Sequence, residues 1–114
     1  MDWKDNFNEG KEIILSTCSK EGKPNANIVI SLGFVDNKLL IADCQMRNTI
    51  KNLIENSEIC IIGGYYRIKG DVEIMSSGKY YEMCVKKNKD YKVKNAILIN
   101  IKEVFDLNKS KKII

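Results

Sequence analysis

The stretch "MRNTIKNLIENSE", Met46 to Glu58, places Arg47, Asn48, Thr49 and Lys51 at the point where an amphipathic helix begins. Those residue types suit one task, which is to hold an anion. A helix start presents free N–H groups and a partial positive charge. It is a ready site for phosphate. Thr49 offers a hydroxyl, while Arg47 and Lys51 offer charge. Their i, i+4 spacing puts both on one side of a helix that starts early enough. The same residues also describe a plain helix N-terminus, with Thr49 or Asn48 as the cap and two solvated cations. The local pattern leaves both readings open.

Other chemistry is excluded by what the chain lacks. It has no histidine. A Ser-His-Asp or Cys-His device cannot be built within one chain, and no histidine can ligate haem. Any general acid or base would have to be Asp, Glu, Lys, Tyr or Cys. The cysteines Cys18, Cys44, Cys60 and Cys84 form no C-x-x-C pair, so a structural zinc site is not expected. Cys18, Cys60 and Cys84 lie in apolar runs, where a free thiol behaves as a small hydrophobe. Cys44 follows Asp43 at a strand end and is the thiol expected to react.

The elements that must position the cluster fit one small domain. The chain has 114 residues, 44% of them hydrophobic and 30% charged. Its 19 basic and 15 acidic side chains give a net charge of +4, which permits anionic ligands and is weak evidence for nucleic-acid binding. A domain of this size buries only about two-thirds of its unfolded surface, so an oligomer or a cofactor would help it. "MDWKDNFNEG" lacks the apolar core of a signal peptide. No apolar run approaches the ~20 residues of a membrane span. A cytoplasmic location is the expectation.

"DWKDNFNEG" reads as a short helix ending at Gly10. "KEIILSTCS" is a strand, "KEGKP" a turn and "NANIVISLGFV" a second strand, nearly all apolar from Ile28 and so expected to be covered on both faces. "DNK" is a hairpin turn and "KLLIADC" the third strand. Ile50, Leu53 and Ile54 then mark one helical face, closed by Asn56 and Ser57. "EICIIGGYY" is a fourth strand. In "RIKGDVEIM", Ile68, Gly70, Val72 and Ile74 alternate with a wet face. "GKYYEMCVKKNKD" is a helix, and "NAILINIKEVFDL" is the last strand. The basic tail at 109–114 is expected to be loose. Six strands in a chain this short, with tight early connections, suggest a closed or nearly closed antiparallel barrel.

In order and spacing these segments resemble the FMN-binding split barrel family, also called pyridoxamine 5'-phosphate oxidase-like, and its short single-domain members above all. The resemblance covers roughly residues 11–107. It rests on "ILSTCSKEGKPN" at 14–25, "ANIVISLGFVDNKLLIAD", "TIKNLIENSEICI" at 49–61 and "RIKGDVEI" at 67–74. In related short proteins a lysine often precedes the threonine, and Asn48 stands in that place here.

The resemblance implies a mainly β fold, a six-stranded antiparallel split β-barrel with short flanking helices, forming a single domain over 1–114. It implies a homodimer with FMN at the subunit interface. The phosphate would lie at Arg47, Asn48, Thr49 and Lys51. The ring would lie along Asn27, Ile28, Val29 and Ile30, with Ile41, Ala42 and Asp43 beside them. At most alternate residues of these strands can face a ligand. Tyr65 and Tyr66 are candidates to approach the partner subunit. The expected function is a small flavoprotein in electron transfer or a flavin-dependent redox reaction, with no metal and no catalytic side chain assigned. A non-catalytic flavin or deazaflavin binder or sensor is the alternative. Genuine pyridoxamine phosphate oxidase activity is not expected, since the substrate-binding histidine is absent and the chain stops early. Expected partners are a second copy and a small redox molecule, with no membrane and no nucleic acid.

Overall fold

The computed structural model describes residues 2–114. A short 3-10 helix, Trp3–Phe7, opens the chain. Eight strands and two helices follow: β1 (Glu12–Cys18), β2 (Pro24–Ile30), β3 (Phe34–Val35), β4 (Lys38–Asp43), α1 (Arg47–Glu55), β5 (Glu58–Gly63), β6 (Tyr66–Met75), α2 (Lys79–Lys87), β7 (Asn95–Asp106) and β8 (Lys111–Lys112). All the ladders are antiparallel. The sheet runs β2-β1-β5-β6-β7-β4-β3, with β8 added to β7. The mainly β antiparallel class expected from the sequence is the one observed.

Two further strands arise for local reasons. The second predicted strand breaks at Ser31, Leu32 and Gly33. Ser31 N–H still donates to Lys11 O on the β1 side at 2.9 Å, while Leu32 N–H donates to Leu40 O on the β4 side at 2.9 Å. The chain changes partners between two adjacent residues, which closes the barrel at this end. Ser31 is fully buried, and its hydroxyl donates to Phe7 O at 2.6 Å and accepts Gly33 N–H at 2.9 Å. Gly33 takes φ +91°, a conformation that favours glycine. The tail, expected to be loose, is the second departure. Lys111 and Lys112 pair with Asp106 and Phe105, and Ile113 N–H donates to Val104 O at 2.8 Å. The unpaired edge of β7 supplies that ladder.

The barrel interior follows the period of the strands. Ile13 and Leu15 of β1, Ile59 and Ile61 of β5, Ile68 of β6 and Ile97 and Ile99 of β7 are buried together. The opposite faces of β4 and β7, with Leu40, Ala96 and Leu98, form a smaller core under Cys84 of α2. Burying a side chain of this size contributes about 1.5–3 kcal/mol against leaving it exposed.

The second strand is not covered on both faces within one copy. β2 is an end strand, and its outward residues Ile28 and Ile30 are 71% and 54% exposed.

Candidate functional site

β2 and β4 do not pair, so away from the Ser31 crossing the barrel wall is open. The start of α1 stands at that opening. Its position is set by Asp43, which is 2% exposed at the end of β4. One carboxylate oxygen accepts Met46 N–H at 2.8 Å, and the other accepts the Asn95 amide at 2.8 Å. Both oxygens of Asp43 are thus engaged in holding the helix entrance.

The helix begins at Arg47, with Met46 in the cap position and no side-chain cap. The expected cap at Thr49 or Asn48 is therefore not formed. Thr49 lies inside the first turn and is 1% exposed. Its hydroxyl donates to Asn27 Oδ1 and accepts from the Asn25 amide at 3.2 Å. The same amide donates to Asn27 Oδ1 at 3.0 Å. One turn on, the buried Asn52 donates to Thr17 Oγ1 at 3.1 Å. The buried face of α1 is Thr49, Asn52 and Leu53, while Ile54 of the predicted apolar stripe is 75% exposed. Partners on β1 and β2 let two polar residues take buried positions.

The structure brings Asn27, Arg47, Asn48 and Thr49 together. They line a pocket of about 210 Å³ with Asn25, Gln45 and Met46. Lys51 lies in an adjoining pocket of about 300 Å³. Arg47 also borders a third pocket of about 260 Å³, with Lys94 and Asn95. Arg47 and Lys51 belong to none of the ion pairs among the described residues.

The other predicted residues are spread over different faces. Val29 and Ile41 point into the barrel core. Ala42 packs against the small core under α2. Ile28 and Ile30 face outward. Asn25 and Lys94 were not singled out in the sequence. The strand period was the available signal for Asn25, since alternate residues Asn25, Asn27 and Val29 share one face of β2.

Three of the thiols are held above the ordinary range of a free cysteine. Burial pushes Cys44 up, helped by the Asp43 charge. Burial also raises Cys60, against the opposing charges of Arg67 and Lys69. Cys84 is raised to about 11, by burial and then by Cys44. The expected reactivity of Cys44 conflicts with this environment, in which it packs against the core under α2.

A larger cavity of about 540 Å³ opens elsewhere, where the ladder between β1 and β5 ends at Ser16 and Cys60. Cys18, Lys69, Lys102 and Glu103 also line it. It holds none of the residues at the start of α1. It borders the outward sheet face, along which Ile28, Ile14, Ile62, Arg67 and Phe105 form one row across five strands. Arg67 lies 4.9 Å from the Phe105 ring centre, and its buried Nε has no hydrogen-bond partner among the described residues.

The pyridoxamine 5'-phosphate oxidase family model matches residues 3–108. The chain belongs to that family. An uncharacterised protein of Methanocaldococcus jannaschii is 30% identical over 111 residues, covering 87% of this chain and 74% of that protein. HupZ of Group A Streptococcus superposes with a TM-score of 0.86 at 22% identity, over 97% of this family member and 95% of HupZ. An FMN-binding protein of Syntrophomonas wolfei gives 0.71 at 16% identity, over 82% and 74%. At these identities the two solved structures establish the fold. The split barrel expected from the sequence is thereby shown.

Proposed function

We propose that the chain is a dimeric FMN-binding flavoprotein of redox or electron-transfer chemistry, with its phosphate site at the start of α1. The observation that carries this reading is a helix N-terminus without a side-chain cap, opening onto a pocket lined by Arg47, Asn25, Asn27 and Asn48. Its N-terminal N–H groups and the Arg47 guanidinium, which joins no ion pair among the described residues, fit a phosphate. In this reading Arg47 balances the charge, Asn48 and the helix N–H groups donate, and Thr49 keeps Asn27 and Asn25 in place. Beside it, the free edge of β2 offers backbone donors and acceptors to a ring. When bound, the flavin supplies hydride or single-electron transfer.

The dimer rests on the outward sheet face. Ile14, Ile28, Ile30 and Ile62 leave an apolar surface that a second copy would cover, and Arg67, next to Ile62 at its edge, lacks a partner for Nε among the described residues. The face adjoins β2, so an interfacial flavin site and this surface share one strand. A non-catalytic flavin binder is the second reading, because no carboxylate, thiol, phenol or lysine that could act as a general acid or base lines the Arg47 pocket among the described residues. Purified protein should be yellow, and mass analysis should identify FMN in the material released by heat. Bleaching by a nicotinamide donor would make the protein a reductase, while a flavin inert to such donors would favour the binder. A colourless protein that takes up no added flavin would defeat both.

A further inference from the structure

Arg67 is only half served within one copy. It is half-buried on the outward sheet face, beside Ile62. Its guanidinium lies over the Phe105 ring at 4.9 Å and joins no ion pair among the described residues. Its buried Nε has no hydrogen-bond partner among them. A buried donor without an acceptor is costly. An acceptor arriving from outside this copy would remove that cost.

The strand order fixes where that acceptor would lie. Ile28, Ile14 and Ile62 are exposed on the adjacent strands β2, β1 and β5, with Ile14 in the middle. To one side of Ile14, two strand spacings reach Arg67 on β6. To the other side, two strand spacings pass Ile28 and reach the free edge of β2. Two copies of one face meet about a two-fold axis in the plane between them. When the sheets pack aligned, that axis runs either across the strands or along them. An axis across the strands, along this row, sets Arg67 against the same residue of the second copy. Like charges juxtaposed in an interface are unfavourable. An axis along the strands through Ile14 keeps the three isoleucines in one apolar contact. It carries Arg67 of the partner subunit to the free edge of β2, where the flavin reading puts the ring. Ile28 stands three residues beyond Asn25. That is about 10 Å along a strand, room for the ribityl chain between phosphate and ring.

Resting on the flavin and dimer readings above, we propose that Arg67 serves the flavin held by the other copy. Its guanidinium donates to the polar edge of the ring, and its charge stabilises the negative charge that the ring gains on reduction. Each site then takes Arg47 from one copy and Arg67 from the other.

Titration of flavin-stripped dimers with FMN and riboflavin tests this. Arg67→Met should weaken both flavins alike, by about tenfold or more, the worth of one charge-assisted hydrogen bond. Mixed dimers, isolated through two different tags, then separate the two copies. A dimer of one Arg47→Ala chain and one Arg67→Met chain has one site with both arginines and one with neither. Half its sites should bind FMN at wild-type strength. With both changes on one chain and a wild-type partner, each site lacks one arginine, and none should reach wild-type strength. A wild-type site in that second dimer, or none in the first, would overturn the inference and leave the Arg47 site standing. Arg67→Met binding both flavins at full strength would do the same. Wild-type protein that binds neither flavin would overturn the inference and the flavin reading together.

Discussion

Arg47 and Thr49 sit two residues apart on α1 and have different roles. Arg47 is exposed and joins no ion pair among the described residues, while Thr49 is buried in a hydrogen-bonded triangle with Asn25 and Asn27. Thr49→Ala leaves those two amides short of a partner, at a cost of about 1–3 kcal/mol. For a domain near this size that lowers Tm by roughly 4 °C or more, read by thermal denaturation. Arg47→Ala should leave Tm within about 2 °C, as surface changes usually do. The cysteines make a second residue-scale test. The thiolate is the reactive form, so a raised pKa slows labelling at any given pH. Cys84, raised to about 11 from the ordinary 9.0, should carry about a hundredfold less thiolate than a free thiol at pH 8. Its labelling rate should climb steadily with pH up to about 11. Fast labelling of Cys84 in the native protein at pH 8 would show that α2 is not packed as described.

Among the elements, β6 and β7 hold the long central ladder, and their one irregularity falls between Lys69 and Gly70. A Cβ on Gly70 would come within 2.0 Å of Asn100 O. Gly70→Ala should therefore destabilise by at least about 1–3 kcal/mol, the usual cost of forcing atoms into a packed site. Chemical denaturation measures it, and an unchanged midpoint would mean the bulge is not formed. The alternation of Ile68, Val72 and Ile74 made this strand legible in the sequence, as did the apolar period of β7. The helix entrance was less legible. Capping preference is a local signal, and it favoured Thr49 as the cap. The partners that draw Thr49 inward lie 22 and 24 residues away on β2. Likewise, Ser31 and Leu32 belong to different ladders only because the barrel closes between them, and no local pattern marks that exchange. The pairing of Lys111 and Lys112 depends on an edge of β7 left free by β4. The cation cluster at the start of α1 was legible, whereas its division into two pockets depends on the turn that carries Lys23.

At the scale of the whole molecule, one copy has an incomplete surface. Ile28, Ile14 and Ile62 lie exposed in a row across three strands, which the half-buried Arg67 and Phe105 continue across two more. An obligate homodimer buries on the order of 2,000 Å² or more. Ile14→Glu and Ile28→Glu should give a folded monomer by sedimentation, with flavin affinity lost alongside. A wild-type monomer that binds flavin at full strength would remove the dimer from the account. No helix among the described residues is long and apolar enough to cross a membrane. The central claim is that the start of α1 holds a flavin phosphate, and it is tested most directly by titrating flavin-stripped wild-type protein and Arg47→Ala with FMN and with riboflavin, which lacks the phosphate. The account predicts that the wild-type protein prefers FMN and that Arg47→Ala weakens FMN about tenfold to a hundredfold, with riboflavin affinity unchanged. Equal affinity of the wild-type protein for the two flavins, with FMN binding untouched in Arg47→Ala, would contradict it.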